Sequence, residues 1–239
     1  MTAATETVFL LDADNTLLDN DRVQRDLRAY LARELGAGCR DRYVAILAEL
    51  WDELGYRDYL GALQRYRIQH PHDVNVVKVS SWLVDYPFAK RLYPRALDVI
   101  AHLRTHGRTV ILTDGDVVFQ PRKLERSGLW QAVGGHALIY IHKEIELEDI
   151  ERRYPAAHYV FVDDKPRLLD AFKKEWGARV TTVLPRQGQY ANDRKAMSAN
   201  QPPDLKIERI ADLLRFDAAG LAAAAQPNEA DAPRPSATN

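Results

Sequence analysis

Val8-Phe9-Leu10-Leu11-Asp12-Ala13-Asp14-Asn15-Thr16-Leu17-Leu18 is the stretch that decides how the rest of the chain is read. Four apolar residues, Val and Phe among them, predict a short buried strand. Asp, Asn and Thr in succession suit a turn, so the strand is expected to stop at Asp12. Two carboxylates at the end of a buried strand are costly unless a positive partner joins them. A hard cation such as Mg²⁺ takes oxygen ligands and is one such partner. A helix-capping or turn-shaping Asp is the alternative reading of Asp-x-Asp taken alone.

Later apolar runs repeat the pattern. Thr109 to Leu112 reaches Thr113, His136 to Ile141 is followed by Lys143, and Tyr159 to Val162 reaches Asp163-Asp164. Val180 to Leu184 supplies a fifth strand. Helical patterns lie between them: Arg95 to Thr105 with Pro94 at its first position, Gln120 to Arg126, Ile145 to Tyr154, and Pro166 to Trp176. Strands alternating with helices predict an α/β fold with a doubly wound parallel sheet. In such a sheet, ligands bind at the carboxyl ends of the strands.

Between the first two strands the pattern is helical. Asp21 to Leu35, Tyr43 to Leu54 and about Tyr56 to Ile68 carry apolar residues at helical spacing, and Val74 to Val84 fits a helix or an extended piece. This is too long for an ordinary loop and reads as an inserted all-helical cap over residues 20–86. Residues 1–19 and 87–216 then form the α/β core. Gln187 to Pro203 is polar and irregular, and Ile207 to Phe216 fits a last helix. Residues 217–239, rich in Ala and Pro, read as a disordered tail.

With 33 Lys and Arg against 34 Asp and Glu, the net charge of −1 offers no field to recruit nucleic acid or an anionic membrane surface. The single cysteine, Cys39, excludes an intrachain disulfide and a Cys-based metal cluster. Met1 to Thr7 lacks the basic start and apolar core of a signal peptide, and no run reaches the roughly 20 apolar residues of a membrane helix. A soluble, cytoplasmic protein is expected.

Taken together, Asp12-Ala13-Asp14-Asn15-Thr16, Thr113, Lys143 and Asp163-Asp164, each tied to a strand end and in this order, resemble the four motifs of the haloacid dehalogenase-like (HAD) superfamily. The resemblance implies a HAD-like Rossmannoid core with a helical cap of the first type. It implies Asp12 as nucleophile, Asp14 as general acid and base, and Lys143 as the cation that neutralises Asp12 and the phosphoryl group. Mg²⁺ would be held by Asp12, the backbone carbonyl of Asp14, and Asp163, with Asp164 acting close by, through water or by holding Lys143. Thr113, with Asp114 and Gly115, would bind the transferring phosphoryl oxygens.

Asp14 favours a phosphatase, because family members that attack carbon do not need an acid–base group there. The expected function is thus a Mg²⁺-dependent phosphatase for a small phosphorylated metabolite, working through an aspartyl-phosphate. A dehalogenase or phosphomutase on the same scaffold, a non-catalytic phosphate-binding protein and a phosphorylated receiver domain are the alternatives; the helical insert and motif order oppose the last. Lys123, whose default is a helical surface face, is the rival to Lys143. Asp114, where the family often has Asn, puts an extra acid beside the phosphate pocket and leaves the substrate open. The oligomeric state is left open as well.

Overall fold

Alternate residues of the first strand, β1 (Thr5–Leu11), enter different cores. Phe9 and Leu11 pack with Ile111, Val160 and Val162 on one face, while Val8 and Leu10 pack with Val110, Leu112 and Phe161 on the other. Strands buried on both faces read as continuous apolar runs, which is how these segments appear in the sequence. The structure, a computed structural model, describes residues 5–225. Residues 1–4 of the polar N-terminus, where no leader was expected, lie outside them.

The other strands are β2 (Arg108–Asp114), β3 (Ala137–Tyr140), β4 (Ala156–Val162), β5 (Val180–Pro185) and β6 (Leu205–Ile207). All pairings are parallel, in the order β3-β2-β1-β4-β5-β6. The chain winds outward from β1 through β2 and β3, then crosses to β4 on the other side. The ends of β1 and β4 therefore flank the switch point at which a doubly wound sheet opens a crevice.

Four helices follow β1 as a separate layer: α1 (Asn20–Glu34), α2 (Ala37–Leu54), α3 (Tyr59–Gln69) and α4 (Val76–Asp85). They bury their own apolar cluster, including Leu27, Tyr43, Ile46, Leu63, Val79 and Leu83. The ambiguous Val74–Val84 segment is helical, with Val76, Val79 and Leu83 inward at helical spacing. The two strands of chain that lead into and out of this layer run side by side. Asp19 N–H donates to Arg91 O at 2.8 Å and Tyr93 N–H to Leu17 O at 2.9 Å.

After them come α5 (Ala96–Leu103), α6 (Phe119–Ser127), α7 (Leu129–Ala132), α8 (Leu147–Arg153), α9 (Pro166–Trp176), α10 (Arg194–Ala199) and α11 (Ala218–Ala224). Pro94 does not open α5. Arg95, at φ 66°, turns the chain in the left-handed region and caps the helix instead.

Two C-terminal expectations are corrected. Ile207 does not begin a helix but ends β6, which pairs with β5 and is followed by a 3-10 segment at Ile210–Arg215. Residues 217–225 of the expected tail are ordered as α11. Asp217 caps it by accepting from Gly220 N–H at 2.7 Å, and Leu221 is buried in the core. A run of alanines needs only a cap and one apolar anchor to dock as a helix. Residues 226–239, the rest of that tail, lie outside the described residues.

Candidate active site

Asp12 leaves the sheet directly after β1, and its N–H donates to Val162 O at 2.9 Å, so the main chain is held between β1 and β4. Asn15 follows at φ 61°, a conformation that Asn tolerates. Its side chain ties the turn to the start of α1: Nδ2 donates to Asp21 Oδ1 at 3.2 Å and Oδ1 accepts from Asp21 N–H at 3.1 Å. Gln187 steadies the turn from below, donating to Thr16 O at 3.2 Å.

Lys143 is fully buried at the first position of a 3-10 turn after β3. Its Nζ lies 2.6 Å from Asp12 Oδ1, 2.7 Å from Asp163 Oδ2 and 3.0 Å from Leu112 O. It is thus shared by Asp12 and Asp163, and Asp164 does not hold it. Although burial opposes its charge, Asp12 and Asp163 raise its pKa above the usual lysine range.

Asp12, Asp163 and Asp164 bring carboxylate oxygens within 4.8 Å of one another, all buried. Among the described residues, Asp12 Oδ2 and both oxygens of Asp164 meet no hydrogen-bond donor. Burial pushes the Asp12 carboxyl up to about 7, against the pull of Lys143 and with added repulsion from Asp163. Asp164 is raised well above the carboxylate range by burial, then by Asp163 and Asp12. Lys143, with Lys165 nearby, faces three buried carboxylates, which leaves the cluster short of positive charge. An all-carboxylate donor set with unpartnered oxygens fits a hard divalent cation. The Asp14 carboxylate lies outside this cluster; the Asp14 atom expected to join the set is its backbone carbonyl.

Asp14 lies on the floor of a crevice under α2 and α3. Lys123 donates to both of its oxygens, at 2.8 and 2.7 Å, and is itself 1% exposed. The expectation that Lys123 faces solvent on α6 is therefore overturned; it belongs to the site alongside Lys143. Asp164 lines the same crevice, whereas Asp12, Lys143 and Thr113, which is 1% exposed, are buried and do not line it.

The second motif is organised from α6. Gln120 Nε2 donates to Thr113 Oγ1 at 2.9 Å, and the Thr113 hydroxyl donates weakly to Asp114 O at 3.4 Å. Gly115 permits this approach: a Cβ there would lie 2.7 Å from Gln120 Cβ. Its N–H is not free for a phosphoryl oxygen, because it donates to Tyr140 O at 2.9 Å. Asp114 also turns inward, accepting from Lys143 N–H at 2.9 Å, with Lys165 Nζ 3.9 Å from its other oxygen. Asp116 accepts from Val118 and Phe119 N–H at the start of α6. Both extra acids have intramolecular partners.

Gln120, Lys165 and Tyr190 also line the crevice and were not singled out in the sequence. Lys165 had a signal, since it directly follows the Asp-Asp pair. Gln120 and Tyr190 had none, because a polar residue in a polar helix and a Tyr in an irregular segment are unremarkable locally.

The model of the haloacid dehalogenase-like hydrolases matches residues 7–175. A structure described only at that family level, from Burkholderia xenovorans LB400, is 59% identical with a TM-score of 0.86, covering 89% of this chain and 99% of its own. Two more distant structures share the fold. YfnB from Bacillus subtilis, with magnesium bound, is 15% identical, with a TM-score of 0.60 and 89% and 98% coverage. L-2-haloacid dehalogenase from Xanthobacter autotrophicus, with chloropropionic acid covalently bound, is 18% identical, with a TM-score of 0.57 and 88% and 97% coverage. No match was found among the curated proteins. With more than half of its length matched by the family model, and a near full-length relative at 59% identity, the chain belongs to the haloacid dehalogenase-like hydrolases.

Proposed function

We propose that this hydrolase is a Mg²⁺-dependent phosphatase acting on a small phosphorylated metabolite through an aspartyl-phosphate. One observation carries the reading. A buried Asp12-Asp163-Asp164 cluster with oxygens lacking donors reaches, at Asp164, the crevice that a second carboxylate, Asp14, also lines. Attack on carbon needs one carboxylate; phosphoryl transfer to water gains from a nucleophile and a separate acid–base group.

Asp12, Asp163 and Asp164 would hold the cation, which would supply charge neutralisation to the phosphoryl oxygens. An Asp12 oxygen attacks phosphorus, the ester P–O bond breaks, and Asp14 protonates the departing oxygen. Asp14 then takes a proton from water, whose oxygen attacks the same phosphorus. The bond to Asp12 breaks, phosphate leaves and the carboxylate is restored. The Thr113 hydroxyl turns from Asp114 O to a phosphoryl oxygen, and Lys143 favours the ionised form of Asp12 against its burial. Lys123 has to release one Asp14 oxygen for the proton transfers.

The test is hydrolysis of an aryl phosphate with and without Mg²⁺, beside Asp12→Asn. Turnover that needs the metal and vanishes in the variant supports the reading. Inactivity across a broad phosphate panel sinks it.

A second reading, a haloacid dehalogenase, draws on the Lys143 and Lys123 pairs, which partly neutralise Asp12 and Asp14 with protein charges alone. Halide release from a 2-haloacid in a chelating buffer would favour it.

A further inference from the structure

The crevice has a roof as well as a floor, and the roof carries a cation without a carboxylate. Arg57 sits in the short link between α2 and α3. Gly55, at φ 73°, opens that link and packs so closely on His142 that a Cβ would lie 2.7 Å from its ring. The link is thereby seated against the residue preceding Lys143. Arg57 lies over the Trp51 ring, with Cζ 5.3 Å from its centroid, and Trp51 stacks on Tyr190 at 6.5 Å and 14°. These contacts fix a planar group with five donors and use few of them.

Other cations near the crevice are engaged. Lys123 holds Asp14, and Lys165 lies near Asp114. Elsewhere, Arg65 pairs with Glu53 at 2.8 Å, and Arg91, just after the helical layer, with Asp26 at 2.7 Å. Arg57 forms no such pair among the described residues. Beside it, Tyr59 is 3% exposed and lines the same crevice, yet its hydroxyl has no hydrogen-bond partner among the described residues. A half-buried guanidinium and a buried hydroxyl, both short of acceptors and both facing one crevice, call for an anion.

We infer that Arg57 and Tyr59 form a subsite for a second anionic group of the substrate, a carboxylate at the end opposite the phosphoryl group. This rests on the phosphatase reading for the identity of the first group. A carboxylate matches the guanidinium fork. It also suits a crevice lined by Asp14, Asp114 and Asp116 better than a second phosphate, whose extra charge meets more repulsion. The substrate class is a short phosphomonoester carrying a carboxylate.

The experiment compares 2-phosphoglycolate with ethyl phosphate, esters that differ in the carboxylate, using the Mg²⁺-loaded protein. The wild type should prefer 2-phosphoglycolate in kcat/KM by on the order of ten- to a hundredfold, the worth of a charge-assisted hydrogen-bond pair. Arg57→Gln should bring the ratio near one, chiefly through KM, and Tyr59→Phe should lower it severalfold. Arg65→Gln should keep the wild-type ratio. Arg57→Gln lowering both esters equally, or a wild type with no preference, overturns the subsite.

Calorimetric binding of phosphonoacetate against ethylphosphonate gives a readout without turnover. Tighter phosphonoacetate binding that is lost in Arg57→Gln, with neither ester hydrolysed, keeps the subsite and removes the phosphatase reading. Hydrolysis without discrimination does the reverse. Equal binding of the two phosphonates overturns the subsite whatever the turnover.

Discussion

Lys123 donates to both carboxylate oxygens of Asp14, at 2.8 and 2.7 Å, across 109 residues of sequence. The pair lines the crevice together with Asp164, which belongs to the Asp12 cluster. A carboxylate gripped by both oxygens is oriented, but it has neither oxygen free to give or take a proton. Lys123 thus acts on the chemistry through Asp14. Replacing it with an apolar side chain of similar length frees Asp14 to sample other rotamers. Lys123→Met is expected to lower kcat tenfold or more with a smaller change in KM, since misoriented catalytic groups lose about that much. Steady-state kinetics check this; a kcat at or above wild type would show that the pair only restrains Asp14.

Asp14→Asn tests the acid–base role more directly. General acid–base catalysis is worth roughly 10²–10⁴-fold. The loss should be near the upper end for an alkyl phosphate, whose leaving oxygen needs a proton. It should be clearly smaller for 4-nitrophenyl phosphate, whose leaving group departs without one. Equal losses on the two esters would remove Asp14 from leaving-group protonation.

The buried cluster predicts stability changes of opposite sign at two touching residues. Lys143 is the cation shared by Asp12 and Asp163, and all three are almost fully buried. Lys143→Met leaves carboxylates unpaired and should cost about 3–5 kcal/mol in chelating buffer. Asp12→Asn removes one of three mutually repelling acids and should leave stability unchanged or raise it. Denaturant unfolding of both variants without metal decides this, and a destabilised Asp12→Asn would mean that the Lys143 pair outweighs the repulsion.

The same cluster sets a pH dependence. Burial raises the Asp12 carboxyl to about 7 in the folded protein, and Asp164 moves the same way. The folded state therefore binds these protons more tightly than the unfolded chain. Where the folded state holds more protons, stability falls as pH rises. The contribution of Asp12 is present below its unfolded value and is lost between about pH 4 and pH 7. Without metal, wild type should lose stability relative to Asp12→Asn between pH 5 and pH 7.5. Stabilisation by Mg²⁺ should grow over the same interval, because the cation binds the ionised carboxylates. Melting temperatures of both proteins, with and without Mg²⁺, test the sign. A wild type that gains on the variant as pH rises refutes it.

What could be read locally was read from the sequence. Asp12, Thr113 and Asp163-Asp164 were legible because each ends an apolar run, and the end of a buried strand is a defined place in a parallel sheet. Lys143 was legible from its place after the third run. Lys123 was not, because in Arg122-Lys123-Leu124-Glu125 it looks like any charge on a helix. Only the return of α6 across the sheet ends brings it to Asp14. Strand β6 escaped because three residues show no period, and its partner is 22 residues away. The tail helix escaped because its anchor is the single Leu221. Arg57 and Tyr59 were visible as residue types, but their shared crevice arises from packing between the helical layer and the core.

Gly188 marks a long-range contact of this kind that can be tested by one methyl group. It sits at φ 71° in the segment after β5, and a Cβ there would lie 2.5 Å from Asn15 Cβ. Asn15 is itself held at positive φ between Asp14 and Thr16. Gly188→Ala is strained twice, by its own dihedral and by the clash, and the neighbouring residue cannot yield without moving the turn that carries Asp14. The expected cost is about 1–3 kcal/mol of stability. Turnover should fall more than that loss of folded protein explains, because the displaced turn carries the acid–base group. Unfolding curves give the first quantity, and kcat measured well below the melting temperature gives the second. A variant that is destabilised but keeps wild-type kcat would show that the turn absorbs the methyl group without shifting Asp14.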